Sequence, residues 1–315
     1  MKIVAVVVAY NRRDLLVGAL DALAAQTRPV DAVLVVDNAS TDGSAQVAAS
    51  HPVVTEVLAL TRNSGGAGGF CAGLAHALMR LAPDAIWLMD DDTAPTPTAL
   101  AELEKAWLAY PGKLVLASSR VVWTDGRDHP MNTQRQRLCQ SRRRRHQARL
   151  AGGVPIRTGS FVSMLVDAHN AWRHRLPMAD YFIWNDDFEY SARLLRHGCG
   201  IAVPASVAVH RTKEFASGLR SPGDRFYYEV RNKLWAFWKS PAFGLAEGAV
   251  YFAYTALGWF GAVARSAERG RLVRAGLRGL RDGLSRRPRA NAEVMAGQGR
   301  LTAEIAAVDG RVVRG

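Results

Sequence analysis

Residues Ala85–Met89 read AIWLM and run directly into Asp90-Asp91-Asp92. A short, unbroken apolar run is the pattern of a strand buried on both faces of a parallel sheet. Three consecutive carboxylates at its end repel one another unless something cationic sits among them. A divalent metal holding a diphosphate meets that need. The i, i+2 spacing turns Asp90 and Asp92 to the same side of an extended chain, so both can face one ion. The blander alternative is an acidic surface turn that caps a helix after Thr93-Ala94-Pro95.

Two upstream runs repeat the pattern. Ile3–Tyr10 (IVAVVVAY) gives way to Asn11-Arg12-Arg13, and Ala32–Val36 (AVLVV) to Asp37-Asn38. The first is not a signal-peptide core, because charge cuts it off at once and no small-residue cleavage site follows. Between the runs, Asp14–Gln26 and Phe70–Leu81 carry apolar residues at helical spacing. The order is βαβαβ, and the class is α/β. In such sheets ligands bind at the carboxyl ends of strands, where Tyr10-Asn11-Arg12, Asp37-Asn38 and the aspartate triplet converge. The loop Thr61–Phe70 (TRNSGGAGGF) joins them, its glycines permitting close backbone approach to a phosphate or sugar edge. It has neither the Gly-x-Gly-x-x-Gly register after the first strand nor the Lys-Ser/Thr of a P-loop.

A second acidic constellation lies at Tyr181–Tyr190 (YFIWNDDFEY), where a helix begins. Asp186 and Asp187 there are either partners of the helix dipole or a general base beside the aromatic surface of Phe182, Trp184 and Phe188. His210 ends the strand Ile201–Val209. A lone histidine in that place is more often structural; the aspartate triplet is the reason to give it a metal role.

The chain has 315 residues, 49% hydrophobic and 22% charged, enough for a large core. Cys71, Cys139 and Cys199 form no Cys-x-x-Cys pair, which argues against a disulfide scaffold or structural zinc and for a reducing cytoplasm. The net charge of +13 is concentrated: residues 135–149 hold seven Arg and no acid, and 265–315 hold twelve Arg against five acids, leaving −1 elsewhere. A basic nucleic-acid-binding protein is one reading of that charge, but it leaves the acidic rim unexplained and has no recognition module. A nucleotidyltransferase or sugar-binding regulator on a similar sheet is the other alternative of a different class. Segment 124–151, with its Arg run, cannot be read as regular structure. Ala242–Ala264 is apolar and aromatic with one charge, Glu247. Arginines interleaved with Leu272, Val273, Leu277, Leu280 and Leu284 follow. The pair fits helices lying on an anionic membrane surface, or else helices packed on the domain with a solvated basic face. Residues 286–315 carry little signal and read as loosely ordered.

The ordered set AYNRR, VVDNASTDGS, TRNSGGAGGF, WLMDDD, WNDDFEYSARLLRHG, HRT and RFYYEVRNKLW resembles the family 2 glycosyltransferases of GT-A fold over about residues 3–240. The glycine loop, the WNDDFEY helix and the late histidine are most similar to bacterial galactofuranosyltransferases, with rhamnosyltransferases second. The resemblance implies a Rossmann-like α/β/α sandwich with a mostly parallel sheet over 1–240. It places the variable loop 124–151 beside the active site and makes 241–315 a helical, basic, membrane-proximal extension. It implies that Ala9, Tyr10, Asn11, Arg12, Asp37 and Asn38 hold the nucleoside, that Asn63, Gly65 and Gly66 close over the nucleotide sugar, and that Asp91 lies near the ribose. Asp90, Asp92 and His210 would bind Mn²⁺ or Mg²⁺. Asp187 would be the catalytic base with Asp186 beside it, Glu189 would be the acid two residues on, and Trp184 would form part of the acceptor platform. The implied reaction is inverting transfer of galactofuranose from UDP-galactofuranose, or of rhamnose from dTDP-rhamnose. The implied acceptor is a polyprenyl-diphosphate-linked glycan for cell-wall or surface polysaccharide, and the implied location is peripheral, on the inner face of the bacterial plasma membrane.

Overall fold

The computed structural model describes residues 1–137, 140–215 and 223–310. Cys139 lies outside the described residues; Cys71 and Cys199 are free thiols. Strands β1 (Ile3–Ala9), β2 (Ala32–Asp37), β3 (Glu56–Ala59) and β4 (Ala85–Asp90) form the parallel half of one sheet, in the order β3-β2-β1-β4. Beyond β4 the sheet is mixed. β8 (Met164–Asp167) runs antiparallel between β4 and β6 (Leu116–Val122), and β6 pairs in parallel with β9 (Gly200–His210). Short β5 (Thr93–Pro95) and β7 (Val154–Pro155) add to β9 in antiparallel sense.

Side-chain alternation along β1 builds both layers. Val4, Val6 and Val8 face α3 (Gly65–His76), while Ile3, Ala5 and Val7 face α1 (Arg13–Ala24) and α4 (Ala99–Ala109). Gly69 and Gly73 let α3 lie close on the sheet, since a Cβ at either would come within 2.4 or 2.5 Å of a valine methyl of β1. Helix α2 (Ser44–Ser50) completes the β2–β3 crossover.

Two expectations are corrected. The Arg run is regular: α5 (Arg142–Leu150) starts at Ser141, whose Oγ accepts the Arg144 N–H at 3.2 Å. The Arg run itself sits away from the acidic rim, although Asn132 and His129 of the same 124–151 segment reach His210 there. Gln147 Nε2 donates to Pro111 O at 2.7 Å, ahead of β6, and the residues after α5 pair with the Gly200 end of β9. His210 is at the other end of β9, roughly 20 Å away at the usual strand rise, because β9 bulges between Val203 and Val207. Residues 286–315 are not loosely ordered either, as far as they are described. After α6 (Ala168–Arg173), α7 (Asp186–Leu195) and α8 (Phe226–Trp238) come α9 (Leu245–Arg265) and α10 (Arg269–Ser285), and then α11 (Asn291–Val294) and α12 (Arg300–Gly310) return to the main core. Met295, Leu301, Ile305 and Val308 are buried against the α3 layer, each worth about 1.5–3 kcal/mol. Glu304 meets both His76 at 3.1 Å and Arg80.

Helix α10 packs on α8 through Leu272 and Ala275, with Gly279 so close that a Cβ there would lie 2.6 Å from Tyr227 O. No described helix is long and apolar enough to cross a membrane. Glu247 is where it is because of Arg157, whose fully buried guanidinium bonds both its carboxylate oxygens, at 2.7 and 3.0 Å, and also the carbonyls of Ala192 and Ala242.

Candidate active site

The carboxyl ends of β1, β2 and β4 sit side by side, as their registers require. Antiparallel pairing of β5 with β9 sets His210 opposite Thr93, the residue after Asp92. Asp90, Asp92 and His210 each present a ligand atom within 4.8 Å of the others. His210 Nε2 is 3.1 Å from Asp92 Oδ1, and its Nδ1 is 2.8 Å from Asn132 Oδ1. Because a carbonyl oxygen only accepts, Nδ1–H donates to Asn132, and Nε2 is the nitrogen turned toward Asp92. A second bond of this kind is how ligating histidines are oriented. Two carboxylates and an imidazole so placed suit a hard or borderline divalent ion.

The charges in this cluster are strained apart. Burial, then Asp92 and Asp91, push the Asp90 carboxyl well above the usual carboxylate range, and Asp186 adds to the push. Burial raises Asp91 to about 6 despite Arg12. Burial also opposes ionisation of Asp92, but His210 and Arg12 outweigh it and hold that group low. Arg12 Nη1 reaches Asp91 at 3.2 Å and Asp92 at 2.5 Å, so it serves the acidic rim rather than lying free at its edge. Asp91 also accepts the Tyr10 N–H at 3.0 Å.

On the β2 side, Asp37 is buried and its Oδ1 has no hydrogen-bond partner, an open acceptor for an N–H or O–H of a ligand. Asn38 is fully engaged: its amide receives the Ser64 N–H and donates to Gly65 O, both at 2.8 Å. It thereby shapes the glycine loop. Asn11 accepts the Thr41 N–H at 2.7 Å, and Asn63 accepts the Gly65 N–H at 2.8 Å. Ala9 is buried at the strand end and Tyr10 is exposed. Gly65 has φ +71° and touches the second constellation, since a Cβ there would fall 1.9 Å from Phe182 O. Gly66 next to it is open, with nothing near a would-be Cβ.

The segment before α7 holds an unusual backbone: Phe182, Trp184 and Asn185 all have positive φ. Such conformations cost energy and persist only where neighbours over-determine them. Here α8 does so. Asn232 Nδ2 donates to the carbonyls of Tyr181, Ile183 and Trp184 at 2.8–3.0 Å, and Glu229 accepts from Asn185 Nδ2 at 2.7 Å. The result presents Trp184, half-buried, and the Asp186-Asp187 pair at the helix start. Burial, then the Asp187 charge, push Asp186 up to about 8. Asp187 is raised by burial as well, but the Phe188 N–H (2.6 Å), Ser160 and Lys233 pull it back. The two acids therefore divide: Asp186 keeps a proton near neutrality and Asp187 is the better base. Glu189 faces inward, in a buried ion pair with Arg193 at 2.8 Å.

The sequence reading missed Asn132, His129 (its ring 4.8 Å from that of His210) and the α8 clamp. Asn132 and His129 lie in a stretch without periodicity, so no local signal marks them. For Asn132→Ala, loss of the bond that orients His210 should cost roughly 10–100-fold in metal affinity, read by Mn²⁺ titration. Asp186 gives a pH prediction. Between its usual carboxylate range and about 8, the folded form keeps a proton that the unfolded form has lost. Stability from this group is thus lost as pH rises through that window. Thermal melts of the parent should fall over it, and Asp186→Asn should flatten the slope.

Solved glycosyltransferases share this fold. The structure is similar to Staphylococcus aureus TarS 1–349 in complex with UDP (TM-score 0.62, 14% identity, 98% of this chain and 90% of that one). It is also similar to the mannosyltransferase PcManGT of Pyrobaculum calidifontis in complex with GDP-Man and Mn²⁺ (TM-score 0.56, 20% identity, 98% and 85%). The architecture is that of the GT-A glycosyltransferases. Residues 4–173 match the family described as Glycosyl transferase family 2, and the chain belongs to that family. Among curated relatives, it is 36% identical over 201 residues to galactofuranosyltransferase GlfT1 of Mycobacterium tuberculosis, covering 62% of this chain and 64% of that protein. It is 45% identical over 96 residues to GlfT1 of Mycolicibacterium smegmatis, covering 30% and 32%. The matches thus span about a third to just under two thirds of these relatives.

Proposed function

We propose that the protein transfers galactofuranose from UDP-galactofuranose, with inversion, to a hydroxyl of a lipid-linked glycan, and does so with a divalent metal. The observation that carries this reading is the meeting of two acidic centres at one rim. The Asp90, Asp92 and His210 cluster lies near enough to Asp186 for their charges to interact, and Phe182 docks on Gly65 and Ala67. The likeness to GlfT1 supports the donor. The buried, partnerless Asp37 Oδ1 suits an N–H or O–H of the nucleoside.

A divalent ion held by Asp90, Asp92 and His210 supplies charge neutralisation for a diphosphate leaving group. The protein's own part is to orient and to move a proton. Asp187 accepts the proton of the acceptor hydroxyl as that oxygen attacks the anomeric carbon from the face opposite the diphosphate. Protonated Asp186 beside it does not compete for that proton. Trp184 offers a face for the acceptor sugar. One displacement inverts the centre, and no second nucleophile takes part.

The exposed side of α9 and α10 supports peripheral attachment to an anionic membrane. Tyr254, Leu257 and Phe260 are 71–75% exposed, and Leu277, Leu280 and Leu284 stand among exposed Arg274, Arg278 and Arg281. A panel of nucleotide sugars tests the proposal, with the released nucleotide as readout. Release of UDP from UDP-galactofuranose, with Mn²⁺ and a glycan acceptor, is the expected result. Preference for dTDP-rhamnose would replace the donor, and release of pyrophosphate would mark a nucleotidyltransferase and overturn the reading.

A further inference from the structure

A line of hydrogen bonds runs through buried side chains from His210 to Asp187. His210 Nδ1–H donates to Asn132 Oδ1 at 2.8 Å, and Asn132 Nδ2 donates to Ser160 Oγ, also at 2.8 Å. Its oxygen occupied in this way, Ser160 gives its hydroxyl hydrogen to the Asp187 carboxylate. The four residues come from four places in the chain: the end of β9, the stretches between β6 and α5 and between β7 and β8, and the start of α7. His210, Asn132 and Ser160 are only 6–9% exposed, so little water competes for these bonds. Every donor stands on the His210 side of its acceptor, and the three bonds run head to tail. Bonds in such a line strengthen one another, by roughly 10–30% each. Nor is Ser160 needed merely to hold the carboxylate, because the Phe188 N–H at 2.6 Å and the Phe161 N–H already do so.

We propose that Asn132 and Ser160 are positioning residues that couple the two centres, so that ligation of His210 is felt at the Asp187 carboxylate and the Asp187 charge is felt at His210. This rests on the metal and base roles in the reading above. Donation from Nδ1 makes Nε2 of a histidine the better ligand. Linkage makes the effect reciprocal: an imidazole engaged at Nε2 is the stronger donor at Nδ1. The gain passes through the Asn132 amide to the Ser160 hydroxyl, which then favours the ionised form of Asp187. No proton moves along the line; only the strength of its bonds changes. The base is thereby most fully ionised when the metal site is filled. Asp187 is also faced by Asp186 from its own helix and by Lys233 from α8, and Arg135 lies 5.4 Å from the centre of the Phe188 ring. These charges stay in place when Asn132 or Ser160 is changed, so a difference between parent and variant belongs to the line.

Mn²⁺ alone, titrated calorimetrically into the full chain, reads the coupling without turnover. Ser160→Ala should weaken Mn²⁺ binding by about two- to fivefold, although Ser160 stands two hydrogen bonds away from His210. Asp187→Asn should weaken it by a similar factor in the parent and add nothing in Ser160→Ala. An equal loss in both backgrounds would mean that the charge acts through space and would overturn the coupling, as would an affinity unchanged by Ser160→Ala. The pH profile of kcat/KM reads the other end. Ser160→Ala should carry the acid limb upward by about one pH unit, and Ser160→Thr should bring it back. Asn132→Ala should move it the same way, though it leaves every bond made by Asp187 itself in place. An acid limb that does not move in Asn132→Ala cuts the line at Ser160 and overturns the proposal, even should Ser160→Ala fail to fold. Melting curves certify each variant. A parent that releases no UDP from any sugar fails the transfer reading, and the Mn²⁺ titrations still decide the coupling.

Discussion

Asp187→Asn lowers sugar transfer by roughly 10²–10⁴-fold, the usual contribution of a positioned general base, while UDP affinity with Mn²⁺ stays within a few fold. The separation follows from where the group sits. Asp187 is bonded to the Phe188 N–H and Ser160 on α7's side of the rim, and among the described residues it makes no bond to the Asp90, Asp92 and His210 cluster. Asparagine keeps the shape and the neighbours but cannot take a proton. Burial lifts the Asp187 carboxyl above its usual range, so the acid limb of the parent's kcat/KM profile lies above that of an exposed aspartate. Steady-state kinetics with titration of UDP measures both halves of the expectation. A variant as active as the parent sinks the assignment of the base.

Asp92→Ala has the opposite signature. Asp92 is the member of the triplet held ionised by His210 and Arg12, and it is nearly inaccessible. Its removal takes one ligand from the cluster and leaves His210 Nε2 facing nothing. Since losing a mere orienting partner costs roughly 10–100-fold in metal affinity, losing the ligand itself should cost at least the upper figure. Metal-dependent UDP binding disappears, and transfer with it. Melting in EDTA distinguishes this from collapse of the fold, because a cluster of repelling carboxylates loses strain when one is taken away. A variant that still binds UDP in a metal-dependent way contradicts the site.

What the sequence showed was whatever repeats locally. Strands β1, β2 and β4 are continuous apolar runs, and the polar residues that end each of them mark the rim in the amino-acid order itself. The WNDDFEY turn was visible because acids and aromatics cluster there within ten residues. What stayed hidden depends on pairs far apart in the chain. Asn132 reaches His210 across 78 residues, Arg157 explains Glu247 across 90, and Asn232 clamps carbonyls about 50 residues before it. Such partners leave no period in the sequence, and Glu247 alone reads only as a flaw in an apolar helix. The C-terminal residues misled for a related reason: α11 and α12 are short, and their apolar faces have meaning only against α3.

The return of α11 and α12 to α3 also fixes what α9 and α10 can do. These helices leave the body at α8 and come back to it at Asn291, whose Oδ1 accepts the Ala179 N–H at 2.8 Å, while Arg62 of the glycine loop is held by the carbonyls of Val294 and Ala296. The apolar, arginine-flanked helices are thus a handle riveted at both ends, not a tail on a swivel. Whatever surface they grip, the catalytic rim is presented to it at one set angle.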